Sequence, residues 1–131
     1  MRASKSPLKI LVVDDQFIMR TIISKQIEEF LKDKIEHDII TANGPEQALE
    51  LASKNKFDVV FTDLQMDGDR EAGYRLTRQI KARQPDSQVF ITSNTIGTYI
   101  ESDAMGVGAS GCIQLPMELV HLEKAFYDYF E

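Results

Sequence analysis

The stretch FDVVFTDL, residues Phe57–Leu64, is a short apolar run that closes on a single carboxylate, Asp63. A continuous apolar run of this length is typical of a strand buried on both faces of a sheet, and we predict that strand over Phe57–Thr62. The first apolar run of the chain ends in the same way, on Asp14 and Asp15. If the two strands lie side by side and parallel, three carboxylates meet at one edge of the sheet.

Short apolar runs alternate with helical patterns along the rest of the chain. The predicted strands are Leu8–Val13, Asp38–Ala42, Phe57–Thr62, Gln88–Thr92 and Gly111–Gln114. The predicted helices are Phe17–Lys32, Pro45 to about Lys54, one ending near Arg83, Thr98–Met105, and a last helix with the apolar stripe Leu119, Leu122, Phe126, Tyr129 and Phe130. Five such units predict an α/β fold, a doubly wound five-stranded parallel sheet with helices on both faces.

The length and composition indicate one ordinary globular domain. The chain has 131 residues, of which 43% are hydrophobic and 27% charged, and we predict a polar lead-in over residues 1–7 and a single domain over 8–131. A net charge of −6 gives no general attraction to nucleic acid or to anionic lipid, so neither is an expected partner. A lone cysteine, Cys112, excludes an internal disulfide. Without a long apolar run or a signal peptide, the expected location is the cytoplasm.

Sites in an open parallel sheet form outside the carboxyl ends of its strands. This rule selects four polar residues at predicted strand ends: Asp14, Asp15, Asp63 and Thr92. Three carboxylates at one edge repel each other unless a positive group neutralises them, and no lysine or arginine directly follows these strand ends. A hard divalent cation such as Mg²⁺ would bind these oxygens, and a carboxylate beside Mg²⁺ can act as a nucleophile towards phosphorus.

The Thr92 hydroxyl could then donate a hydrogen bond to a phosphoryl oxygen. For any single aspartate of the set, a helix N-cap or a turn residue is the plainer interpretation. The repetition at two strand ends of one alternating pattern favours a functional site.

The chain resembles a response-regulator receiver domain of two-component signalling. The matching segments are Leu8–Asp15, Val59–Met66, Val89–Thr92 and Gly108–Gly111, the last followed by Pro116. The resemblance runs from about Lys9 to Phe130 and implies a flavodoxin-like (βα)5 fold.

The resemblance also implies a role for each matching residue. Asp63 would be the phosphoacceptor, Asp15 a direct ligand of Mg²⁺ and Asp14 a ligand mostly through water. The backbone carbonyl of Gln65 would be a further metal ligand, and Thr92 would contact the phosphoryl group and report it to the next helix. The implied partners are a sensor histidine kinase or phosphotransfer protein and an unidentified downstream protein or effector domain. Such a chain is a signalling domain, which at most catalyses its own phosphorylation and dephosphorylation.

Two positions on the fifth strand depart from the family pattern. The family normally has Lys-Pro where this chain has Leu115-Pro116, and leucine offers neither charge nor donor. Gln114 is a poor substitute because successive strand residues point to opposite faces. Cys112 stands where the family often has an aromatic switch residue, and we expect it to be a buried packing residue.

The loop after Asp63 departs as well. Asp67 stands where a proline commonly follows the Met66 position, and about two extra residues precede Gly73. We expect Asp67 and Asp69 to belong to a solvated turn.

Two functions of different class therefore stay open. The first is a receiver that takes a phosphoryl group on Asp63 and changes partner binding near the fourth and fifth strands. The second is a phosphorylation-independent interaction module, which the missing lysine and aromatic favour and the complete acidic set opposes. An aspartate-based phosphatase fits less well, because Gln65 stands where its general acid would be. A flavin-binding protein fails, because no phosphate-binding loop follows Val13.

Overall fold

A computed structural model describes residues 6–130, which form one five-stranded sheet covered by helices. The strands are β1 (Leu8–Val13), β2 (His37–Ala42), β3 (Val59–Asp63), β4 (Gln88–Ser93) and β5 (Gly111–Gln114). The helices are α1 (Phe17–Leu31), α2 (Pro45–Lys54), α3 (Ala72–Arg83), α4 (Thr98–Gly106) and α5 (Leu119–Ala125), followed by a 3₁₀ turn at Tyr127–Tyr129. All strand pairs are parallel and the order is β2-β1-β3-β4-β5, which confirms the predicted fold class.

The strand order reverses between β1 and β3. From β1 the chain crosses outwards to β2, and from β3 it proceeds in the other direction to β4 and β5. In the register, Val13 lies beside Thr62 and Asp63 beside Thr92. The carboxyl ends of β1 and β3 therefore flank the switch point, where open α/β sheets bind ligands.

Alternating strand residues supply two apolar cores on opposite faces of the sheet. One face carries Val12 and Phe61 against α1 and α5, with Ile27 and Phe126 fully buried. The other face packs against α2 and α3, and a smaller third cluster lies under α4. Burial of the strands on both faces is what the continuous apolar run predicted.

The third strand is displaced from its predicted range, Phe57–Thr62. The Phe57 amide is taken up by a side chain, since it donates to Oε1 of Gln84 at 2.8 Å. Gln84 is buried, and its Nε2 donates to the carbonyls of Ala52 at 2.9 Å and Asn55 at 2.7 Å. One amide thus joins α2, the start of β3 and the end of α3, and strand pairing begins only at Val59.

The last helix is shorter than predicted. It ends at Ala125, and its stripe is interrupted because Leu119 is 61% exposed in the first turn. Phe126 is buried, and Phe130 packs edge-on against Phe30 at 5.7 Å between ring centroids. The aromatic residues therefore reach the core through the 3₁₀ turn instead of a continuous helix.

Two further predictions concern membrane-spanning helices and the start of the domain. Within residues 6–130, no helix combines the length and the apolar character needed to cross a bilayer. The predicted lead-in, residues 1–7, lies mostly outside the described residues, so the boundary at residue 8 stays a prediction.

Candidate functional site

Three carboxylates meet at the edge where β1 and β3 end. One carboxylate oxygen from each of Asp14, Asp15 and Asp63 lies within 4.8 Å of the other two. Asp14 lies two residues after Val12, and Asp63 lies two residues after Phe61. Because side chains alternate along a strand, both aspartates are on the face of the sheet that carries Val12 and Phe61. Asp14 is 2% exposed, whereas Asp15 and Asp63 are half-buried. We call these three residues the acidic triad.

Burial and neighbouring charge favour the protonated forms of Asp14 and Asp63. The pKa of Asp63 is raised to about 7, first by burial and then by the charges of Asp14 and Asp15, although amides of Leu64 and Gln65 lower it. The pKa of Asp14 is raised chiefly by burial. The negative charge of the triad is therefore only partly compensated by the protein. A donor set of oxygen atoms with this charge fits a hard divalent cation.

Arg20 reaches this site from the end of the first turn of α1. Its Nη1 donates to the backbone carbonyl of Asp14 at 2.8 Å, its guanidinium lies 5.6 Å from the Phe17 ring centroid, and its charge lowers the pKa of Asp14. Sequence reasoning missed it by searching only residues directly after the strands. The available signal was its place one turn into a helix that begins beside the strand end.

Thr92 lies opposite Asp63 in the register and its side chain shares the same face. It is 1% exposed, and its carbonyl accepts the Leu64 N–H at 3.0 Å. The structure therefore brings Thr92 beside the acidic triad. Its contact with a phosphoryl group stays a prediction.

Leu115 extends the same face of the neighbouring strand. Ile113 pairs with Thr92, so the residue two positions later returns to that face, where Leu115 packs against the core beneath α1 and α5. Gln114 is exposed and lies on the opposite face, as its position in the strand predicted. Gln65 is exposed directly after the triad, and its carbonyl stays a predicted metal ligand.

The loop after β3 is an ordered hairpin and not simply a solvated turn. Met66 and Asp69 exchange two backbone hydrogen bonds, of 3.1 and 2.9 Å. The two residues between them have left-handed backbone angles, with φ of 51° at Asp67 and 78° at Gly68, as in a type I′ turn. The Asp67 N–H donates to Oδ2 of Asp15 at 2.9 Å, which connects the hairpin to the acidic triad.

The start of α3 lies directly against the end of β3. The Gly73 N–H donates to the Leu64 carbonyl at 2.8 Å. A Cβ at Gly73 would lie 2.5 Å from the carbonyl oxygen of Asp63 and 2.8 Å from Cα of Leu64. Only glycine allows this approach, so Gly73 helps to place the backbone of Asp63.

Cys112 is half-buried rather than fully buried. It packs with Tyr74 and Ile100 against the small cluster that contains Leu64 and Ile91. Burial, with the charge of Glu101, raises the pKa of its thiol. The site of the family's switch aromatic is thus occupied by a small packing residue.

Comparison with known proteins gives one family. A family model described as the response regulator receiver domain matches residues 10–127. A protein-glutamate methylesterase/protein-glutamine glutaminase of Symbiobacterium thermophilum is 32% identical over 125 residues, covering 89% of this chain and 33% of the relative. The sensor histidine kinase RcsC of Salmonella typhi is 30% identical over 129 residues, covering 98% of this chain and 13% of the kinase. The chain therefore spans a third or less of the length of these curated relatives.

Solved structures of low sequence identity share the fold. The chemotaxis protein CheY4 of Vibrio cholerae superposes with a TM-score of 0.80 at 21% identity, covering 94% of this chain and 98% of that one. A response regulator of Burkholderia pseudomallei, solved with a phosphorylated aspartic acid, a calcium ion and citrate, has a TM-score of 0.74 at 21% identity, covering 90% of this chain and 65% of that one. These likenesses confirm the flavodoxin-like architecture.

Proposed function

Because the chain belongs to the response-regulator receiver family, we propose that Asp63 accepts a phosphoryl group from a histidine in a reaction that requires Mg²⁺. The chain is a receiver domain with a signalling role, homologous to the receiver part of histidine kinases. The convergence of Asp14, Asp15 and Asp63 within 4.8 Å at the switch point of the sheet is the observation that carries the proposal. A related regulator of the same fold holds both a phosphorylated aspartic acid and a calcium ion.

The proposed transfer needs an ionised Asp63. A carboxylate oxygen of Asp63 attacks the phosphorus of phosphohistidine; the P–O bond forms as the P–N bond breaks, and the imidazole nitrogen keeps the electron pair and takes up a proton. With its pKa raised to about 7, the bare Asp63 is only partly ionised at neutral pH. Mg²⁺ held by Asp14, Asp15, Asp63 and the Gln65 carbonyl would favour the ionised form and neutralise the phosphoryl oxygens. The Thr92 hydroxyl would donate to one of those oxygens.

The phosphodonor, a sensor histidine kinase or a phosphotransfer protein, has to cover the acidic edge of the sheet. The first turn of α1 starts beside the acidic triad. In this turn Phe17 is 71% exposed and Ile18 is 69% exposed. We place the donor contact there. For the downstream protein or effector domain we favour the surface of α4 and the chain end, where Tyr99 is 86% and Tyr127 76% exposed.

The phosphorylation-independent interaction module is the less favoured function. The apolar Leu115 and the absence of an aromatic side chain at Cys112 favour this function. It leaves unexplained why the acidic triad is complete, because three carboxylates without a function would raise the free energy of the fold.

Intact-mass measurement after incubation with acetyl phosphate and Mg²⁺ tests the proposal. We expect a single phosphoryl adduct on the wild-type protein that hydroxylamine removes, since hydroxylamine cleaves acyl phosphates. Asp63→Asn should abolish the adduct. Asp58→Asn is the matched control, because the same substitution is made at the other end of the same stretch, where Asp58 accepts the Lys9 N–H at 2.8 Å.

The adduct should persist in Asp58→Asn and disappear when EDTA replaces Mg²⁺. A wild-type protein that gains no adduct from acetyl phosphate or phosphoramidate at any Mg²⁺ concentration would leave the interaction module as the function. An adduct that survives in Asp63→Asn would move the phosphoacceptor elsewhere.

A further inference from the structure

The backbone amide of Asp67 donates a hydrogen bond to the carboxylate of Asp15, which lies 52 residues earlier in the chain. It donates to Oδ2 at 2.9 Å, and it belongs to the hairpin Met66–Asp69. We propose that this hairpin is a positioning element for Asp15, in which the Asp67 amide fixes the carboxylate in the orientation that binds a divalent cation. The inference rests on the proposed function only in treating the acidic triad as a cation site.

The hairpin is anchored on both sides, which fixes the direction of the Asp67 amide. Met66 is 1% exposed and anchors one side in the core beneath α2 and α3. On the other side, Oδ1 of Asp69 accepts the Glu71 N–H at 2.9 Å and Oδ2 pairs with Arg75 of α3. Between these anchors the two left-handed residues turn the Asp67 N–H outwards, towards Asp15.

The backbone amide, and not the Asp67 carboxylate, makes this contact. The carboxylate points to the turn before α2, where its Oδ2 would lie 3.9 Å from a Cβ at Gly44. The family that the sequence resembles commonly has proline at this position, and proline has no N–H to donate. The positioning contact is therefore particular to a chain with a non-proline residue here, and aspartate tolerates the left-handed backbone that the turn requires.

A fixed carboxylate should bind the cation more tightly than a free one. Groups that orient metal-binding side chains typically contribute about 10- to 100-fold in metal affinity. The proposal therefore predicts a loss of Mg²⁺ affinity of about 10-fold or more when the amide is removed or misdirected.

Two matched pairs of variants separate the amide from the carboxylate and from general effects. Asp67→Pro removes the N–H and also the turn geometry, because proline cannot adopt the φ of 51° at this position, whereas Asp67→Asn keeps the N–H and the turn and removes the charge. Gly68→Val forbids the left-handed backbone angle although its Cβ meets nothing within 4 Å. Gly106→Val, whose Cβ likewise meets nothing within 4 Å, is its control at the far end of α4.

Calorimetric titration of each folded variant with MgCl₂ gives the affinities. We expect Asp67→Pro and Gly68→Val to weaken Mg²⁺ binding by about 10-fold or more, Asp67→Asn to weaken it clearly less, and Gly106→Val to match wild type. Equal losses in Asp67→Asn and Asp67→Pro would assign the effect to the carboxylate and overturn the proposal. Wild-type affinity in Gly68→Val would also overturn it, and this variant decides the matter if Asp67→Pro fails to fold.

A metal-free measurement tests the hydrogen bond itself. In EDTA, hydrogen exchange of the Asp67 amide should be slower than for a free turn amide and should accelerate about 10-fold or more in Asp15→Ala. Exchange at the free-amide rate in the wild type would overturn the proposal. The exchange measurement needs no Mg²⁺. A wild-type protein that binds no Mg²⁺ would therefore contradict the proposed function, and the exchange rates would still decide the role of the hairpin.

Discussion

Leu115 occupies a position from which a longer, charged side chain could face the acidic triad. It follows β5 on the face that carries Asp63 and Thr92, half-buried against the core beneath α1 and α5. Leucine can neither donate a hydrogen bond to a phosphoryl oxygen nor balance its charge. Fewer contacts are then made only in the phosphorylated state, so phosphorylation shifts the conformational equilibrium less.

Leu115→Lys should therefore strengthen the conformational response to beryllofluoride, a phosphoryl mimic. One charge-assisted hydrogen bond contributes about 1.5–3 kcal/mol, which is enough to move a balanced equilibrium almost completely to one state. The measurement is the change in backbone amide NMR shifts of α4 and β5 with and without the mimic. Gln114→Lys, with the same charge on the opposite face, should respond like wild type, and an equal gain in both variants would contradict this account.

The residue scale also marks a limit of prediction from sequence. Strand ends and polar residue types were enough to predict that Asp14, Asp15, Asp63 and Thr92 come together. The contributions of Arg20 and Asp67 depend on the reach of a long side chain and on the direction of one backbone amide. Neither follows from periodicity, because the first contact depends on where α1 begins and the second on the backbone angles of the hairpin.

At the scale of elements, α3 is placed against β3 by Gly73. The distance of 2.5 Å from a Cβ at this position to the Asp63 carbonyl oxygen is too short for any side chain. A clash here involves backbone atoms on both sides, which cannot rotate away. The end of β3, and with it the phosphoacceptor position, thus depends on a residue without a side chain.

Gly73→Ala should lower the free energy of unfolding by about 1–3 kcal/mol, because the added methyl group overpacks the contact. The same substitution at Gly106, where a Cβ meets nothing within 4 Å, should leave stability unchanged or raise it by up to about 1 kcal/mol through helix propensity. Urea unfolding of both variants measures the difference. Equal stability of the two would show that α3 can move away from β3 at no cost.

Element boundaries were less predictable than elements. All five strands and five helices were predicted, most of them from apolar periodicity, although the fourth helix has few large apolar residues and buries only Ala104. The start of β3 and the end of α5 were wrong by a few residues. In the first case Gln84 takes the Phe57 amide, and in the second the aromatic chain end folds into a 3₁₀ turn. The Gln84 contact is tertiary, and the chain end is held by the packing of Phe126 and Phe130 against the core, so neither boundary follows from a local pattern.

At the scale of the whole molecule, the acidic triad sets a pH dependence of stability. The pKa of Asp63 is about 7 in the folded chain, against about 3.9 for an unfolded aspartate. The folded state binds the extra proton between these values, so metal-free stability should fall as pH rises from about 4 to about 7. The destabilisation is complete above pH 7, where the carboxylate is ionised in both states.

Asp63→Asn should remove the part of this dependence that Asp63 contributes and leave the part that comes from the raised pKa of Asp14. In EDTA the variant should be as stable as wild type near pH 4 and more stable at pH 8, by on the order of 1–2 kcal/mol once solvent screening of a half-buried group is allowed for. Urea unfolding at the two pH values measures it. A variant that is less stable than wild type at pH 8 would show that the ionised triad is compensated within the protein.

The buried amide of Gln84 has a consequence for the motions of the chain. It fastens α2, the start of β3 and the end of α3 at the pole of the sheet opposite the acidic triad. The slowest hydrogen exchange should then be found at that pole, and opening fluctuations should concentrate among the loops around Asp63. Such a gradient lets the signalling edge rearrange repeatedly while the remainder of the domain stays folded.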